Sequence, residues 1–356
     1  MRVLFVAGSI PPEWCGVGDT TALLARAMAK QPGVEAGILI ARGEMPDARV
    51  TIVRTKDWSL WRSLAILVRI HRWRPDVVHF QYPTEGYRGQ GAPWLLPLLC
   101  RMTGLRVVMT WHEDRPRFHP AEVFNAMLPG GVVVARPELP RGFSRLGRLL
   151  TSFKTFRYIA IGSTLPVAEL DDEQRSAMRA RFSGGRLIAY FGFAYPHKRI
   201  EDLFEIADPA TDVLILVCSL DPRYEYQRRI LELAASERWK GRCFVTGPLA
   251  ADEAANLLAA ADAVVMPFAG GAGPWNSSLR GARMQGTFTL TTALDRRGYD
   301  ANENSYYALP QDLADMRDAL QRYAGTRRPA AVAEAREEWL TMARAHLDFY
   351  RDLGLT

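Results

Sequence analysis

The residues best suited to chemistry lie in a glycine-rich loop in the last third of the chain. A buried strand is expected at Ala263–Pro267, and a helix is expected to begin near Ser277. The loop between them contains Gly270, Gly271 and Gly273. Because the first N–H groups of a helix have no partner within it, and its positive end attracts anions, such a start can hold a phosphate. The pattern therefore predicts a phosphate site formed by Asn276, Ser277 and Ser278.

Two titratable side chains also follow expected strands. Lys198 comes shortly after the strand and glycine of Leu187–Gly192, and its ammonium group could bind a phosphate. His112 follows the apolar run Arg106–Thr110, and a neutral imidazole can give or take a proton near pH 7. Since ligands collect beyond the carboxyl ends of strands in open α/β sheets, we expect His112 to face a ligand.

Short apolar runs, which are typical of buried strands, alternate with helical patterns along the chain. The first series of strands is expected at Arg2–Gly8, Val34–Ile40, Asp76–Phe80, Arg106–Thr110, Gly131–Ala135 and Tyr158–Ile161. The second series is expected at Leu187–Gly192, Asp212–Cys218, Arg242–Thr246, Ala263–Pro267 and Phe288–Thr291. Such alternation predicts an α/β protein with two parallel sheets, each covered by helices on both faces.

The two series of strands predict two domains and a terminal helix. The first domain would span residues 1–163, the second residues 164–333, and a long helix residues 334–356. The polar segment Ser163–Gly185 is expected to link the two domains. A helix is also expected at Ala251–Ala260, just before the buried strand that leads to the glycine loop.

Composition excludes several classes of protein. No apolar run approaches the roughly 18 residues that a membrane span needs, and Val3–Ala7 is too short for the core of a signal peptide. The four cysteines are scattered singly, which fits a reducing cytoplasm and gives no metal-binding spacing. The formal charge of +6 is the sum of +10 in the first 165 residues and −4 in the remainder, so the basic excess lies in the first domain. No module for nucleic-acid recognition accompanies these basic residues.

Two basic amphipathic stretches stand out in the first domain, at Trp58–Arg74 and Arg136–Arg157. The second is expected to be a helix whose basic face comprises Arg141, Arg145, Arg148, Lys154 and Arg157. Such a face can lie on an anionic bilayer, or it can be an ordinary solvated surface. Both interpretations remain open for Arg136–Arg157, whereas Trp58–Arg74 is expected to cover a sheet.

The segment from Val245 to Gly286 resembles the donor half of family 4 glycosyltransferases, which are retaining enzymes with the GT-B fold. This fold has two Rossmann-like domains facing a cleft, and its last helix crosses back to the first domain. The resemblance implies that Lys198 holds the donor diphosphate and that His112 lies beside the acceptor and the reacting sugar. Further donor-binding positions would be Gly192, Gly247 and Leu249.

The amino-terminal segment resembles the same family in its Gly-x-Gly turn, which would close over the donor diphosphate. The glycines are Gly16 and Gly18, and Asp19 or Thr20 is expected to be the N-cap of the following helix. This turn is not the Gly-x-Gly-x-x-Gly of dinucleotide-binding enzymes, which argues against a dehydrogenase. The acceptor would contact Gln81, Tyr82, His112 and Asp114, although Asp114 could instead cap a helix.

The chain departs from the family pattern at three positions. Gly273 and Gly281 stand where the family usually has two glutamates, the second of which binds the donor ribose. Phe193 stands where many members have a phosphate-binding arginine, so that one phosphate-binding cation is missing or is supplied from elsewhere, for example by Arg280 or Arg283. Glu303 could replace a missing glutamate, or it could lie in a solvated loop. Ser277 and Ser278 resemble a Gly-Ser element found in some relatives.

The resemblance implies transfer of a sugar from a nucleotide-diphosphate donor to a hydroxyl, with retention of configuration and without a metal or other cofactor. The basic first domain favours a lipid-linked or cell-surface glycan precursor as acceptor, and a cytoplasmic location with contact to an anionic membrane surface. Two alternatives remain open. One is a catalytically silent GT-B protein that binds a glycan, a nucleotide or a partner, and the other is an enzyme of small-molecule biosynthesis.

Overall fold

The computed structural model describes residues 1–112, 127–137, 145–182 and 184–355. The chain divides into two compact units. The first comprises Met1–Gly162 together with Arg336–Thr356, and the second comprises Ser163–Ala335. No helix in the described part of the chain is long and apolar enough to span a membrane.

The first unit is built on a seven-stranded parallel sheet of order β3-β2-β1-β4-β5-β6-β7. Its strands are β1 (Arg2–Val6), β2 (Glu35–Ile40), β3 (Val50–Arg54), β4 (Val77–Tyr82), β5 (Val107–Trp111), β6 (Gly130–Val134) and β7 (Lys154–Tyr158). The helices between them are α1 (Gly16–Met28), α2 (Ser63–Trp73), α3 (Ala92–Met102) and α4 (Arg145–Leu150). The central strands are buried on both faces, as in other parallel sheets flanked by helices.

The second unit contains another seven-stranded sheet, of order β10-β9-β8-β11-β12-β14-β13, in which β13 pairs antiparallel with β14. Its strands are β8 (Arg186–Phe191), β9 (Asp212–Val217), β10 (Cys243–Val245), β11 (Ala263–Met266), β12 (Thr289–Thr292), β13 (Gly298–Asp300) and β14 (Ser305–Ala308). Its helices are α5 (Asp172–Ala180), α6 (Glu201–Ile206), α7 (Glu225–Ala235), α8 (Ala251–Ala260), α9 (Ser277–Met284) and α10 (Leu313–Tyr323).

The last helix, α11 (Val332–Asp352), completes the core of the first unit. Its buried side chains, among them Met342, Leu347 and Tyr350, pack in one cluster with residues of the first strands. The contact with β6 is close, because a Cβ atom at Gly131 would lie 2.3 Å from Leu353 Cδ1. Two parallel-sheet α/β units, with a final helix that packs on the first, confirm the expected fold class.

The expected start of the first helix was wrong by several residues. Helix α1 begins at Gly16, and its N-cap is Cys15 rather than Asp19 or Thr20. The glycine at position 18 explains the early start, because a Cβ atom there would lie 2.3 Å from the carbonyl oxygen of Ser9. Only a glycine lets the first turn of the helix approach the preceding loop this closely.

The basic stretch Arg136–Arg157 is not one helix, and its expected basic face was wrong in part. The helix α4 covers Arg145–Leu150, while Lys154 and Arg157 belong to strand β7. Lys154 is buried, with 8% of its surface exposed, and Arg157 pairs with Asp352. Arg141 lies outside the described residues.

The expected linker Ser163–Gly185 contains a regular element. Helix α5 begins with a capping box, in which Asp171 accepts from the backbone of Gln174 and the Gln174 side chain accepts in return. The reciprocal bonds satisfy two backbone donors at the helix start.

Candidate functional site

The glycine loop after β11 leads directly into helix α9. Gly271 has a φ of +75°, a backbone conformation that residues other than glycine rarely adopt. The N-cap residue Asn276 accepts a hydrogen bond from Gly273 N at 2.8 Å, and its side chain does not cap the helix. The first N–H groups of α9, at Ser277 and Ser278, are therefore not satisfied by the side chain that usually serves them, which suits an anionic ligand.

The loop that carries Lys198 lies against this glycine loop. Lys198 ends a short 3-10 turn, and its Nζ lies 4.5 Å from the centre of the Phe268 ring. The carbonyl oxygen of His197 accepts from Ala269 N at 2.9 Å. The lysine is thus held over the residues that open the glycine loop, and a cation–π contact fixes its ammonium group there.

Gly192 joins the same cluster from the end of β8. Its φ is +133°, and a Cβ atom there would lie 3.7 Å from Ser278 Oγ. Lys198, Gly192 and the start of α9 therefore meet at the carboxyl edge of the second sheet. Two segments that lie far apart in sequence, the loop with Gly192 and Lys198 and the start of α9, are thus brought together at the edge of the sheet where ligands usually bind.

The turn with Gly247 and Leu249 lies farther along the same edge. It follows β10, which is separated from β8 by β9. Neighbouring strands lie about 4.8 Å apart, so the turn is about 10 Å along the sheet from the end of β8. Gly247 has a φ of +68°, and Leu249 packs against the apolar cluster beneath the turn. The structure therefore places these two residues beside the phosphate cluster rather than within it.

Neither position of the missing glutamates has room for a long side chain in the observed packing. A Cβ atom at Gly273 would lie 2.3 Å from Trp275 Cη2. A Cβ atom at Gly281 would lie 3.1 Å from Ser163 Oγ and 3.3 Å from Leu165 Cβ. The indole ring and the segment around Ser163 fill the space next to these glycines.

The candidate substitutes for the missing charges are engaged in contacts of their own. Arg280 pairs with Glu334 at 3.0 Å, and Arg283 pairs with Glu303 at 3.1 Å. Burial lowers the pKa of Arg283 to about 10. Phe193, at the position of the usual arginine, is 41% exposed.

In the first unit, Gln81, Tyr82 and His112 meet at the ends of β4 and β5. His112 Nε2 lies 2.8 Å from Gln81 Oε1, and His112 N donates to the carbonyl oxygen of Tyr82 at 3.1 Å. Because an amide oxygen only accepts, this contact places a proton on Nε2 and leaves Nδ1 as the basic nitrogen. Burial lowers the pKa of His112 to about 4, so that its imidazole is neutral at pH 7.

The buried side-chain NH₂ group of Gln81 lacks a hydrogen-bond acceptor in the described part of the chain. The residue is 1% exposed, yet its Nε2 atom has no hydrogen-bond partner among the residues that the structure describes. A buried amide donor without an acceptor costs free energy that a ligand oxygen could restore. Asp114, the remaining expected acceptor contact, lies outside the described residues.

A second group of buried polar side chains, centred on His79, lies next to Gln81 on β4. His79 Nδ1 lies 2.5 Å from Tyr350 Oη, and His79 Nε2 lies 2.8 Å from Thr110 Oγ1. The rings of His79 and His346 are 5.6 Å apart. Strand β4 therefore carries His79 and Gln81 toward one face, where helix α11 fixes the first of them.

Asp19 is a candidate that the sequence interpretation assigned to helix capping. It lies in the first turn of α1 beside Gly16 and Gly18, and burial raises its pKa to about 6. Carboxyl groups whose pKa is raised by desolvation are common in ligand sites. The signal in the sequence was an acidic residue directly after Gly-x-Gly, where a backbone site for an anion was expected. In the described residues, no group of three or more metal-binding side chains is present.

Comparisons with known proteins identify the fold. No protein-family model matches the chain, and no curated protein matches it. Solved structures do match over nearly the whole length. Sucrose-phosphate synthase from Thermosynechococcus elongatus has a TM-score of 0.72 at 16% identity, covering 99% of this chain and 98% of that one. The fold is GT-B.

Two further structures of this fold are similar over the same length. A glycosyltransferase from Rickettsia africae has a TM-score of 0.68 at 12% identity, covering 99% of this chain and 98% of that one. HepE from Anabaena, in complex with UDP and glucose, has a TM-score of 0.68 at 14% identity, covering 99% of this chain and 100% of that one. At these identities the likeness establishes the GT-B fold of the chain.

Proposed function

We propose that this protein transfers a sugar from a nucleotide-diphosphate donor to a hydroxyl acceptor. The observation that carries the proposal is the convergence of Lys198, Gly192 and the start of α9 at one edge of the second sheet. HepE of similar fold has been solved with UDP and with UDP-glucose, which supports a nucleotide sugar as the donor. The nucleoside would lie beside the phosphates, at the turn with Gly247 and Leu249.

On the donor side, the diphosphate is the leaving group and gains negative charge as the sugar bond breaks. Lys198 supplies a positive charge, and the N–H groups of Ser277 and Ser278 supply aligned donors at a helix start. Fixed donors of this kind stabilise the developing charge because they need not reorient during the reaction. Gly192 allows the backbone of the second unit to approach the phosphates.

On the acceptor side, neutral His112 offers its Nδ1 lone pair to the attacking hydroxyl. Gln81 orients the imidazole through Nε2, and its own Nε2 donor is available to an acceptor oxygen. Tyr82 and Asp114 would contact the remainder of the acceptor. We propose retention of the anomeric configuration, by attack on the face that the diphosphate leaves, with no metal required.

We further propose a lipid-linked or cell-surface glycan precursor as the acceptor, reached at the inner face of the membrane from the cytoplasm. The support is the surface of α4, where exposed Leu146 and Leu149 alternate with Arg145 and Arg148. Apolar and basic side chains on one surface favour the boundary of an anionic bilayer over bulk water. The basic excess of the first 165 residues adds to this attraction.

A second candidate is a GT-B protein that binds a nucleotide or glycan without transferring sugar. The packing of Trp275 beside Gly273, and of Ser163 beside Gly281, favours it. Both contacts fill places where glutamates would otherwise meet the donor. Such a protein would bind nucleotides and would release no sugar from them.

The first experiment titrates the protein with UDP, GDP, ADP and CDP at millimolar concentration and follows thermal unfolding. A ligand at 100 times its Kd should stabilise the fold by about 2.7 kcal/mol. The nucleotide that binds then fixes the sugar donors to be tested for transfer and hydrolysis. Unchanged melting with all four nucleotides contradicts the donor site. Binding without turnover in the presence of glycan acceptors favours the second candidate.

A further inference from the structure

Among the buried cationic nitrogens of the first unit that have no hydrogen-bond partner in the described part of the chain, two lie close together. They are Lys154 Nζ, at the start of β7, and Arg101 Nη2, near the end of α3. The other Arg101 nitrogens donate to the carbonyl oxygens of Pro97 and Pro129. A buried positive charge without a partner is costly, and natural proteins keep such groups where an anion compensates them.

Lys154 and Arg101 both lie beside the backbone of Gly130. Lys154 pairs with Gly130 in the register of β6 and β7. A Cβ atom at Gly130 would lie 2.9 Å from Arg101 Nη2, so the guanidinium fills the space left by the missing side chain. Neighbouring strands lie about 4.8 Å apart, which brings the stem of Lys154 beside this guanidinium.

The lowered pKa values of Lys154 and Arg101 agree with this proximity. Burial lowers the pKa of Lys154 to about 7, and the positive charge of Arg101 contributes to the lowering. Burial also lowers the pKa of Arg101, to about 10. An anion placed between the two groups would remove their mutual repulsion and favour the charged form of Lys154.

The site is separate from the candidate acceptor site. Gly130 and Lys154 are the first residues of β6 and β7, whereas Gln81 and His112 lie at or beyond the carboxyl ends of β4 and β5. Parallel strands place these two groups at opposite edges of the sheet. A ligand held by Arg101 and Lys154 therefore does not compete with the proposed acceptor.

Exposed, large apolar residues lie close to the two cations along the sequence. Met102 follows Arg101 and is 74% exposed, while Phe153 precedes Lys154 and is 68% exposed. Met127, three residues before Gly130, is 47% exposed. A patch that combines exposed apolar groups with unpaired cations matches the chemistry of a phospholipid, which has an anionic phosphate next to acyl chains.

We propose that Arg101 and Lys154 bind the phosphate of an anionic phospholipid, with Met102 and Phe153 entering the bilayer beside it. The phosphodiester offers two oxygens that can accept from both cations. The choice of a lipid as the source rests on the membrane association proposed above, but not on sugar transfer. Vesicle binding is measured without donor or acceptor, so its failure leaves the transfer proposal intact.

The test compares the wild type with Lys154→Met, which keeps the buried stem and removes the charge. Co-sedimentation with phosphatidylglycerol vesicles at 0.1 M salt should weaken at least about tenfold, as for loss of one charge-assisted hydrogen bond. The matched control is Arg72→Met, which removes one exposed charge from α2 and should change binding by less than about twofold. Phosphatidylcholine vesicles should not bind either protein.

Three outcomes would overturn the proposal. Equal losses for Lys154→Met and Arg72→Met would mean that general surface charge attracts the vesicles. Stabilisation of the wild type by inorganic phosphate, lost in Lys154→Met, together with no vesicle binding, would assign the site to a soluble phosphate compound. No response to vesicles or phosphate, with Lys154→Met melting like the wild type, would leave the two cations without a ligand.

Discussion

The indole ring of Trp275 occupies the space next to Gly273, where a Cβ atom would lie 2.3 Å from Cη2. The replacement of the usual glutamate by glycine is therefore accompanied by a side chain that fills the vacated place. Under the proposed function, the donor sugar would meet an aromatic ring at this position rather than a carboxylate. Aromatic rings pack against the apolar faces of ligands, whereas carboxylates accept hydrogen bonds from hydroxyl groups.

Gly273→Ala should destabilise the protein by about 1 kcal/mol, at the low end of overpacking costs because the tip of the indole ring can swing aside. In a Trp275→Ala background the same substitution should cost nothing measurable, as expected for two residues in contact. Urea unfolding of the four proteins measures the coupling. Gly270→Ala is the matched control, since no atom lies within 4 Å of a Cβ there. Additive effects would mean that the ring does not occupy this space.

Lys198→Ala should weaken binding of the preferred nucleotide diphosphate by roughly 10- to 100-fold, because a hydrogen bond to a charged group contributes about 1.5–3 kcal/mol. Isothermal titration calorimetry measures the change. Lys240→Ala provides a control for general charge, since Lys240 pairs with Glu237 on the surface of the same unit. If both variants bind like the wild type, Lys198 is not a phosphate ligand.

His112→Ala should reduce sugar transfer about 100-fold or more, the usual contribution of a group that handles a proton. Donor affinity should change little, because His112 contacts Gln81 and Tyr82 in the other unit. Steady-state kinetics and nucleotide titration measure the two effects separately. Gln81→Leu, which removes the orienting amide, should lower kcat while leaving nucleotide affinity unchanged. Full activity of His112→Ala would reduce this residue to a structural role.

The buried histidines should make the protein less stable in acid. Burial lowers the pKa of His112 and His346 to about 4 and holds that of His79 well below its usual value. Between pH 6.5 and pH 4 the unfolded chain therefore binds more protons than the folded one, so that the free energy of unfolding falls as the pH falls. Urea unfolding at pH 5 and pH 7 measures the slope. His346→Gln, which does not titrate, should flatten it.

Asp19 should act in the opposite direction. Because its pKa is raised to about 6 in the folded protein, its contribution is largest in acid and is lost as the pH rises through 6. Asp19→Asn should therefore make the gain in stability between pH 4 and pH 6 steeper than in the wild type. A less steep profile would show that the carboxyl group is ionised in the folded protein throughout this range.

The sequence predicted those parts of the site that depend on local order along the chain. The strand, glycine loop and helix from Ala263 to Ser277 are set by short-range rules, and the helix Ala251–Ala260 has the expected bounds. The expectation that Lys198 lies near this loop came from the family resemblance, which gives both a role at the donor diphosphate.

What the sequence did not predict depends on contacts across the fold. The basic and apolar pattern of α4 continues as far as Lys154. That residue is nevertheless buried and belongs to strand β7, because pairing with β6 prevails over helical periodicity. The ring of Trp275 beside Gly273 arises from the path of the loop, which residue type does not specify. Likewise, the pairing of Arg283 with Glu303 joins α9 to the loop before β14.

The hydrogen bond between His79 and Tyr350 joins residues 271 positions apart, and it dictates an order of events during synthesis. Chains emerge from the ribosome at about 5–20 residues per second, so strand β4 waits on the order of tens of seconds for its partner helix. Throughout that interval the surface that α11 will cover on β4 and β6 remains open to water. The half of the protein that is made first is therefore finished last, and its apolar surface stays exposed to solvent until the end of synthesis.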